Sequence, residues 1–325
     1  MARSRFSEVV RKADVETPAK ATAHPHSEAQ CRQFIQVVPV REYRQLTMSF
    51  PTDDLTLEYT AQPAHYLSHL LGHEGPGSLL SLLKAKGWVN ELSAGDYGGE
   101  VGCFSFFKIS LDLSEEGLDG HLDDIVEVCF QYIAMLQASA RSEAGFPKYI
   151  FDECQNLNAA YFRYKDKGSP SNYVTSLSKN LLIYPPDVLL TATVLMEDFR
   201  PDLIQQVLNK LRPDMLRVTC VSKSFEGLPN MKTEKWYGTQ YLQSSFTDEQ
   251  IARWSSVELA PELHLPPPNA FIASDFTLLP PPAEEASPVP QLVRDSALSK
   301  LWYKQDGEFK LPKAGEIHSE ARFRF

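Results

Sequence analysis

The stretch Cys103–Leu113, CFSFFKISLDL, places Phe107, Ile109, Leu111 and Leu113 on one face of an extended chain and Lys108, Ser110 and Asp112 on the other. Such alternation belongs to a sheet with one covered face, which antiparallel pairing permits and all-parallel sheets rarely show. The period then changes. Ser114 offers a hydroxyl cap, Glu115 and Glu116 stand in the positive first turn, and Leu118, Leu122, Ile125, Cys129, Ile133 and Leu136 make an apolar stripe for a helix of several turns. A one-sided strand followed by a one-sided helix predicts a helix layer on one face of a sheet.

Both periods recur along the chain. Phe34–Val40 and Gln45–Phe50 read as strands split by a polar connection. A helix over about His65–His73 ends at Gly75-Pro76-Gly77, a second starts near Ser78 and stops at Gly87, and Trp88–Asp96 reads as a short strand entering a glycine-rich turn. Helices follow at about Phe146–Tyr164, Tyr173–Leu182, Pro201 or Asp202–Leu211 and Asp248–Val257, with Leu216–Ser224 as a strand returning to the sheet. The expected fold class is α+β: a mainly antiparallel sheet with helices packed on one face, an α/β roll, followed by a proline-rich extended arm. Pro261–Pro290 holds 9 of the 23 prolines, a density that favours extended chain and ends the packed domain near Ala260. The expected divisions are a disordered extension over 1–27, an α+β domain over 28–260, the arm over 261–315 and an unstructured tail over 316–325. Within the arm, Lys300–Asp306 and Phe309–Gly315 read as strands.

With 325 residues, 43% of them hydrophobic, the chain can bury one large core or two ordinary ones. A net charge of −10 argues against nucleic-acid and anionic-membrane partners, which call for a basic surface. No apolar run approaches the ~20 residues of a membrane span, and no signal-peptide core follows the N terminus. Five cysteines without a C-x-x-C pair read as reduced thiols, so a cytoplasmic protein is expected. No phosphate loop, dinucleotide fingerprint, Ser/His/Asp array or G-x-S-x-G is present.

The chemistry-bearing stretch is His69-Leu70-Leu71-Gly72-His73-Glu74. Two histidines four apart share a helix face at chelate spacing, as in H-E-x-x-H zinc sites and their inversion H-x-x-E-H. Hydrolysis also requires a general base and a third ligand. The residue before the second histidine, where the inverted motif has its base, is Gly72, and Glu74 lies one residue past His73. Asp152 and Glu153 on the later helix are the candidates for a third ligand.

The words HYLSHLLGHEGPGSLLSLLKAKGWVNEL (His65–Leu92), FRYKDK (Phe162–Lys167), FRPDLI (Phe199–Ile204), VSKSFEG (Val221–Gly227), WYGTQY (Trp236–Tyr241) and LWYKQD (Leu301–Asp306) keep one order between about Ala23 and Ala314. In them the chain resembles the pitrilysin/insulinase family of inverted-motif zinc metallopeptidases, over its second domain and the start of the linker to the third. The resemblance implies the same α+β fold, a catalytic H-x-x-E-H in a first domain outside this chain, and a degenerate repeat here in which His69 and His73 are a relic pair. Zinc is then the cofactor of the full-length family and none is expected in this chain, which is expected to be inactive alone and to help form a peptide chamber. The resemblance also implies a peptide-binding exosite at Leu70, Gly72, His73 and Glu74 on the helix end and Leu92, Ala94 and Asp96 on the strand, although Ser68, Ala94 and Asp96 depart from the family's usual residues. Asp166 is implied as an inter-domain contact, while Arg163, Lys165 and Lys167 around it read equally as a solvated helix end. The expected partners are peptide substrates and the remaining domains of the same enzyme or an intact homologue. In the family a third domain would begin near Phe325, so the chain is expected to be a fragment of such an enzyme or, alternatively, a free-standing peptide-binding or regulatory module that docks on one.

Overall fold

The computed structural model describes residues 26, 30–98, 104–277, 289–297, 299–304 and 318–321. The extension expected over 1–27 lies almost wholly outside these residues, as does the strand expected over Phe309–Gly315.

Seven strands form the main sheet: β1 (Gln33–Val37), β2 (Gln45–Thr52), β3 (Val89–Gly98), β4 (Ser105–Leu113), β5 (Arg217–Val221), β6 (Lys232–Thr233) and β7 (Gln240–Ser245). Their order is β3-β4-β2-β5-β1-β7-β6. Every pairing is antiparallel except β1 with β5, where Gln33 faces Arg217 and Val37 faces Val221. The alternation of β4 sets the inner face. Phe107, Ile109, Leu111 and Leu113 are buried and join Leu46, Met48 and Phe50 of β2 and Val218 and Cys220 of β5 in a single core. Each such side chain contributes about 1.5–3 kcal/mol by leaving water.

The helices that cover this face are α1 (Pro63–Leu71), α2 (Leu79–Ala85), α3 (Glu115–Gly120), α4 (Leu122–Arg141), α5 (Lys148–Tyr164), α7 (Pro201–Leu208) and α8 (Asp248–Ser255), whereas α6 (Pro170–Asn180) buries none of its residues. Central among them is α4. It contributes Ile125, Val126, Val128, Cys129, Phe130, Tyr132, Ile133 and Leu136 to the core and touches α2, α3, α7 and α8. Among the described residues, no helix is long and apolar enough to cross a membrane.

Several boundaries differ from the sequence expectation for local physical reasons. The helix starting after Ser114 is two helices, because Gly120 is followed by His121 at φ −130°, ψ 18°, and α4 starts anew with the Ile125 N–H donating to the His121 carbonyl at 2.8 Å. Helix α5 begins after Pro147, whose extended backbone occupies the N-cap, so Phe146 precedes it as a core residue. Helix α6 starts three residues early because Pro170 suits the first helical position. Strand β3 is not short: it runs ten residues to Gly98. The β6–β7 hairpin, whose tip contains Trp236, Tyr237 and Gly238, was not foreseen. The tail expected to be unstructured over 316–325 contains β10 (His318–Ala321), which pairs with β9 (Ser299–Tyr303), itself paired with β8 (Gln291–Asp295), in a second sheet.

Gly117 in α3 lies close against the start of β3. A Cβ there would stand 2.1 Å from the Trp88 carbonyl oxygen, which already accepts the Ser114 N–H at 3.0 Å. Gly117→Ala is expected to cost ~1–3 kcal/mol by forcing α3 off the start of β3. A thermal melt that matches the wild type would show that this approach is slack.

Candidate functional site

Helix α1 forms because Pro63 pre-sets its first turn and Tyr66, Leu67, Leu70 and Leu71 recur on one face, all buried. Gly72 ends it as the C-cap, its N–H donating to the Ser68 carbonyl at 2.8 Å. This end rests on β3. A Cβ on Gly72 would stand 2.9 Å from the Ser68 carbonyl oxygen and 3.8 Å from the Ala94 nitrogen, and one on Gly95 would stand 3.8 Å from Ser68 Oγ. The structure therefore brings Gly72 together with Ala94, two residues that the sequence could relate only through the family resemblance.

β3 is the edge of the main sheet. It pairs with β4 from Val89 to Gly98, with one irregularity between Val89 and Glu91, and no described strand lies on its other side. Alternate residues of such an edge direct their N–H and C=O groups outward. The side chains of Leu70 and Leu92 are buried in the core, so these two residues can offer only main chain to a ligand. The Leu70 carbonyl is already occupied, accepting the Tyr132 hydroxyl at 3.1 Å and the His73 N–H at 3.3 Å.

Beyond Gly72 the chain turns sharply. His73 is half-buried and its Nδ1 accepts the Gly75 N–H at 3.1 Å, while the Glu74 side chain is exposed beside it. At the far end of β3, Asp96 accepts a hydrogen bond from the Ser105 hydroxyl on β4. Desolvation raises the Asp96 pKa although the residue is exposed at its surface; the Ser105 bond opposes that shift and repulsion from Asp54 adds to it. Asp166 lies elsewhere, exposed in the connection between α5 and α6.

His69 lies in the last turn of α1 and His73 just beyond its end. Their ring centroids are 6.1 Å apart with planes at 70°. Burial lowers the pKa of His69, helped by His73 and His65 and opposed by Glu153. Of the candidate third ligands, Asp152 pairs with Lys148, and Glu153 Oε1 accepts the Asn269 N–H at 2.7 Å. Among the described residues, no three His, Cys, Asp or Glu side chains gather as a metal site would require.

Sequence reasoning missed Ser105 and His264. His264 approaches the Gly75–Gly77 turn from the arm, its N–H donating to the Gly77 carbonyl at 3.1 Å. The only local hint was the Gly75-Pro76-Gly77 turn itself, which could not reveal a partner so distant in the chain.

Residues 1–157 match the family model described as the peptidase M16 inactive domain, and residues 162–319 match that of the middle or third domain of peptidase M16. The first match extends upstream of Ala23, where the recognisable motifs begin. Insulin-degrading enzyme from Homo sapiens is 48% identical over 309 residues, 95% of this chain and 29% of that protein. The A-factor-processing enzyme of Saccharomyces cerevisiae is 39% identical over 87% of this chain and 27% of its own length. The chain thus spans less than a third of these relatives. A crystal structure of pitrilysin aligns with a TM-score of 0.73 at 24% identity, covering 87% of this chain and 29% of that one, which supports the fold. The chain belongs to the M16 peptidases, the pitrilysin/insulinase family, in the part of that architecture formed by the inactive domain and the middle or third domain.

Proposed function

We propose that the chain is the non-catalytic, peptide-holding segment of a zinc metalloendopeptidase similar to insulin-degrading enzyme, contributing a wall of its peptide chamber. The observation that carries this reading is the end of α1 lying against the edge strand β3. An extended peptide laid on β3 would satisfy the outward N–H and C=O groups and lengthen the sheet by one strand. Its free N terminus would reach the end of α1, where the exposed Glu74 carboxylate pairs with an ammonium. Gly72 helps by presenting no side chain between helix and strand. Asp166, exposed in the connection between α5 and α6, would meet another domain of the same enzyme. We assign residues 28–260 to the α+β unit and 261–315 to the arm, since the main sheet draws its strands from Gln33 to Ser245. The buried thiols of Cys129, Cys154 and Cys220, which form no disulfide among the described residues, favour the cytoplasm.

Two outcomes are expected for the relic pair. The purified chain retains no stoichiometric zinc after dialysis and hydrolyses no fluorogenic peptide, because among the described residues no third ligand accompanies His69 and His73. Gly72→Glu restores the motif's lettering without activity, since its Cβ meets the Ser68 carbonyl and there is no held water to activate. One zinc per chain, with turnover abolished by His73→Ala, would overturn this account.

Peptide holding is tested by calorimetric titration of an extended peptide with a free or acetylated N terminus against wild type and Glu74→Gln. A partly sheltered ion pair is worth roughly 1 kcal/mol, so each change alone weakens binding several-fold. Together they weaken it little more, because both remove one interaction. Equal binding of free and acetylated peptide by the wild type would eliminate the N-terminal anchor.

A further inference from the structure

We propose that His264, on the proline-rich arm, is a positioning residue that fixes where Glu74 stands. The inference rests on the peptide-holding reading and adds to it a device for the turn that carries Glu74.

Glu74 sits on a turn with little stiffness of its own, since two of the next three residues are glycines and glycine backbone is the most permissive. The turn is held at two points on its inner side: His73 Nδ1 accepts the Gly75 N–H at 3.1 Å, and the Ser78 N–H donates to the Gly75 carbonyl at 3.1 Å. The third point comes from the arm. The His264 N–H donates to the Gly77 carbonyl at 3.1 Å, and the imidazole packs against the Gly77 Cα so closely that a Cβ there would stand 2.3–2.5 Å from three ring atoms. Gly77 has φ +80°, so it is glycine for two reasons: the backbone conformation and the ring above it. The ring is itself oriented, Nδ1–H donating to the Leu265 carbonyl at 2.9 Å.

The arm can act as a clamp because it is anchored on both sides of His264. Leu263 is buried in the core. Further on, the Tyr149 hydroxyl donates to the Pro266 carbonyl, the Asn269 N–H donates to Glu153 at 2.7 Å, and Phe276 packs on Tyr164 with ring centroids 5.0 Å apart. Tyr149, Glu153 and Tyr164 all belong to α5, so the arm is laced to that helix while His264 reaches across to the turn after α1. Prolines at 266, 267 and 268 stiffen the span between. The carboxylate is thereby pre-organised before a peptide arrives, which saves ordering entropy on binding.

Two readouts on the full chain separate this inference from the reading beneath it. Hydrogen exchange at the Gly75 and Ser78 amides, without peptide, reports the clamp, and the ratio of affinities for free and acetylated peptide reports the Glu74 anchor. His264→Gly is expected to speed exchange at least tenfold at these amides. It should also reduce the free-to-acetylated ratio several-fold while leaving the acetylated peptide's affinity unchanged, a pattern that general loss of structure would not produce. Tyr149→Phe, which unlaces the arm while keeping its packing, is expected to act in the same direction more weakly, and it carries the decision if His264→Gly melts below the working temperature. Unchanged exchange in the variants overturns the clamp, and faster exchange with an unchanged ratio overturns the positioning role. A wild-type ratio of one removes the anchor itself, and this inference with it, even if the clamp is present.

Discussion

The seating of α4 on the inner face of the sheet is the contact on which the rest of the molecule depends. Phe130 meets Phe50 of β2 edge-on at 6.1 Å and stacks near Trp254 of α8 at 6.2 Å, so one side chain joins sheet, central helix and last helix. Two residues on, the Tyr132 hydroxyl takes the Leu70 carbonyl from inside the core. That bond is made where water cannot compete, and breaking it would leave the buried Tyr132 hydroxyl without its acceptor. It ties the last turn of α1 to the centre of the protein, so the geometry of Gly72 and His73 is inherited from core packing. A surface site of this kind is as rigid as the hydrophobic layer behind it.

An unpaired strand edge is ordinarily a liability, and proteins blunt it with charge, bulges or a covering element. β3 shows each device in partial form. It carries an irregularity near Val89, exposed acidic side chains at Glu91 and Asp96, and the end of α1 against its middle. This partial protection discourages promiscuous sheet pairing, and under the peptide-holding proposal it leaves a length of main chain for an extended segment with a complementary end. Selectivity would then come from the ends of the edge more than from its backbone, which is alike for every sequence laid on it.

Much of the fold was legible because its strongest signals are local. The alternation of β4, the Ser114 cap and the apolar stripe of α4 require no knowledge of the rest of the chain, and they already define a sheet covered on one side. What was not legible is what distance in the chain hides. The break at Gly120 and His121 is a short, cheap interruption within one apolar stripe, so periodicity ran straight across it. β7 reads QYLQSS, polar enough to pass for a loop, and it becomes a strand only because β1 offers it an edge. Of the site, the helix and its glycine were plain, and the strand was named through family resemblance. The contact of Gly72 with Ala94, the Ser105 bond to Asp96 and the approach of His264 are tertiary facts with no sequence period to announce them.

The parallel pairing of β1 with β5 has a consequence for how such a chain is made. Gln33 waits for Arg217, and β7 must arrive after that to cover the other side of β1. The two family models meet between residues 157 and 162, yet the hydrogen-bonded ladder runs through strands from both sides of that line. A ribosome that has released only the first of these regions has delivered the β3–β4 hairpin with β2 beside β4, and the side of β2 that β5 will cover is still open. Closure of so distant a pair is slow for entropic reasons, and the open side is hazardous while it lasts. The boundary that separates these regions in evolution is therefore not a boundary at which the nascent chain can pause safely, and the two halves are one unit of folding.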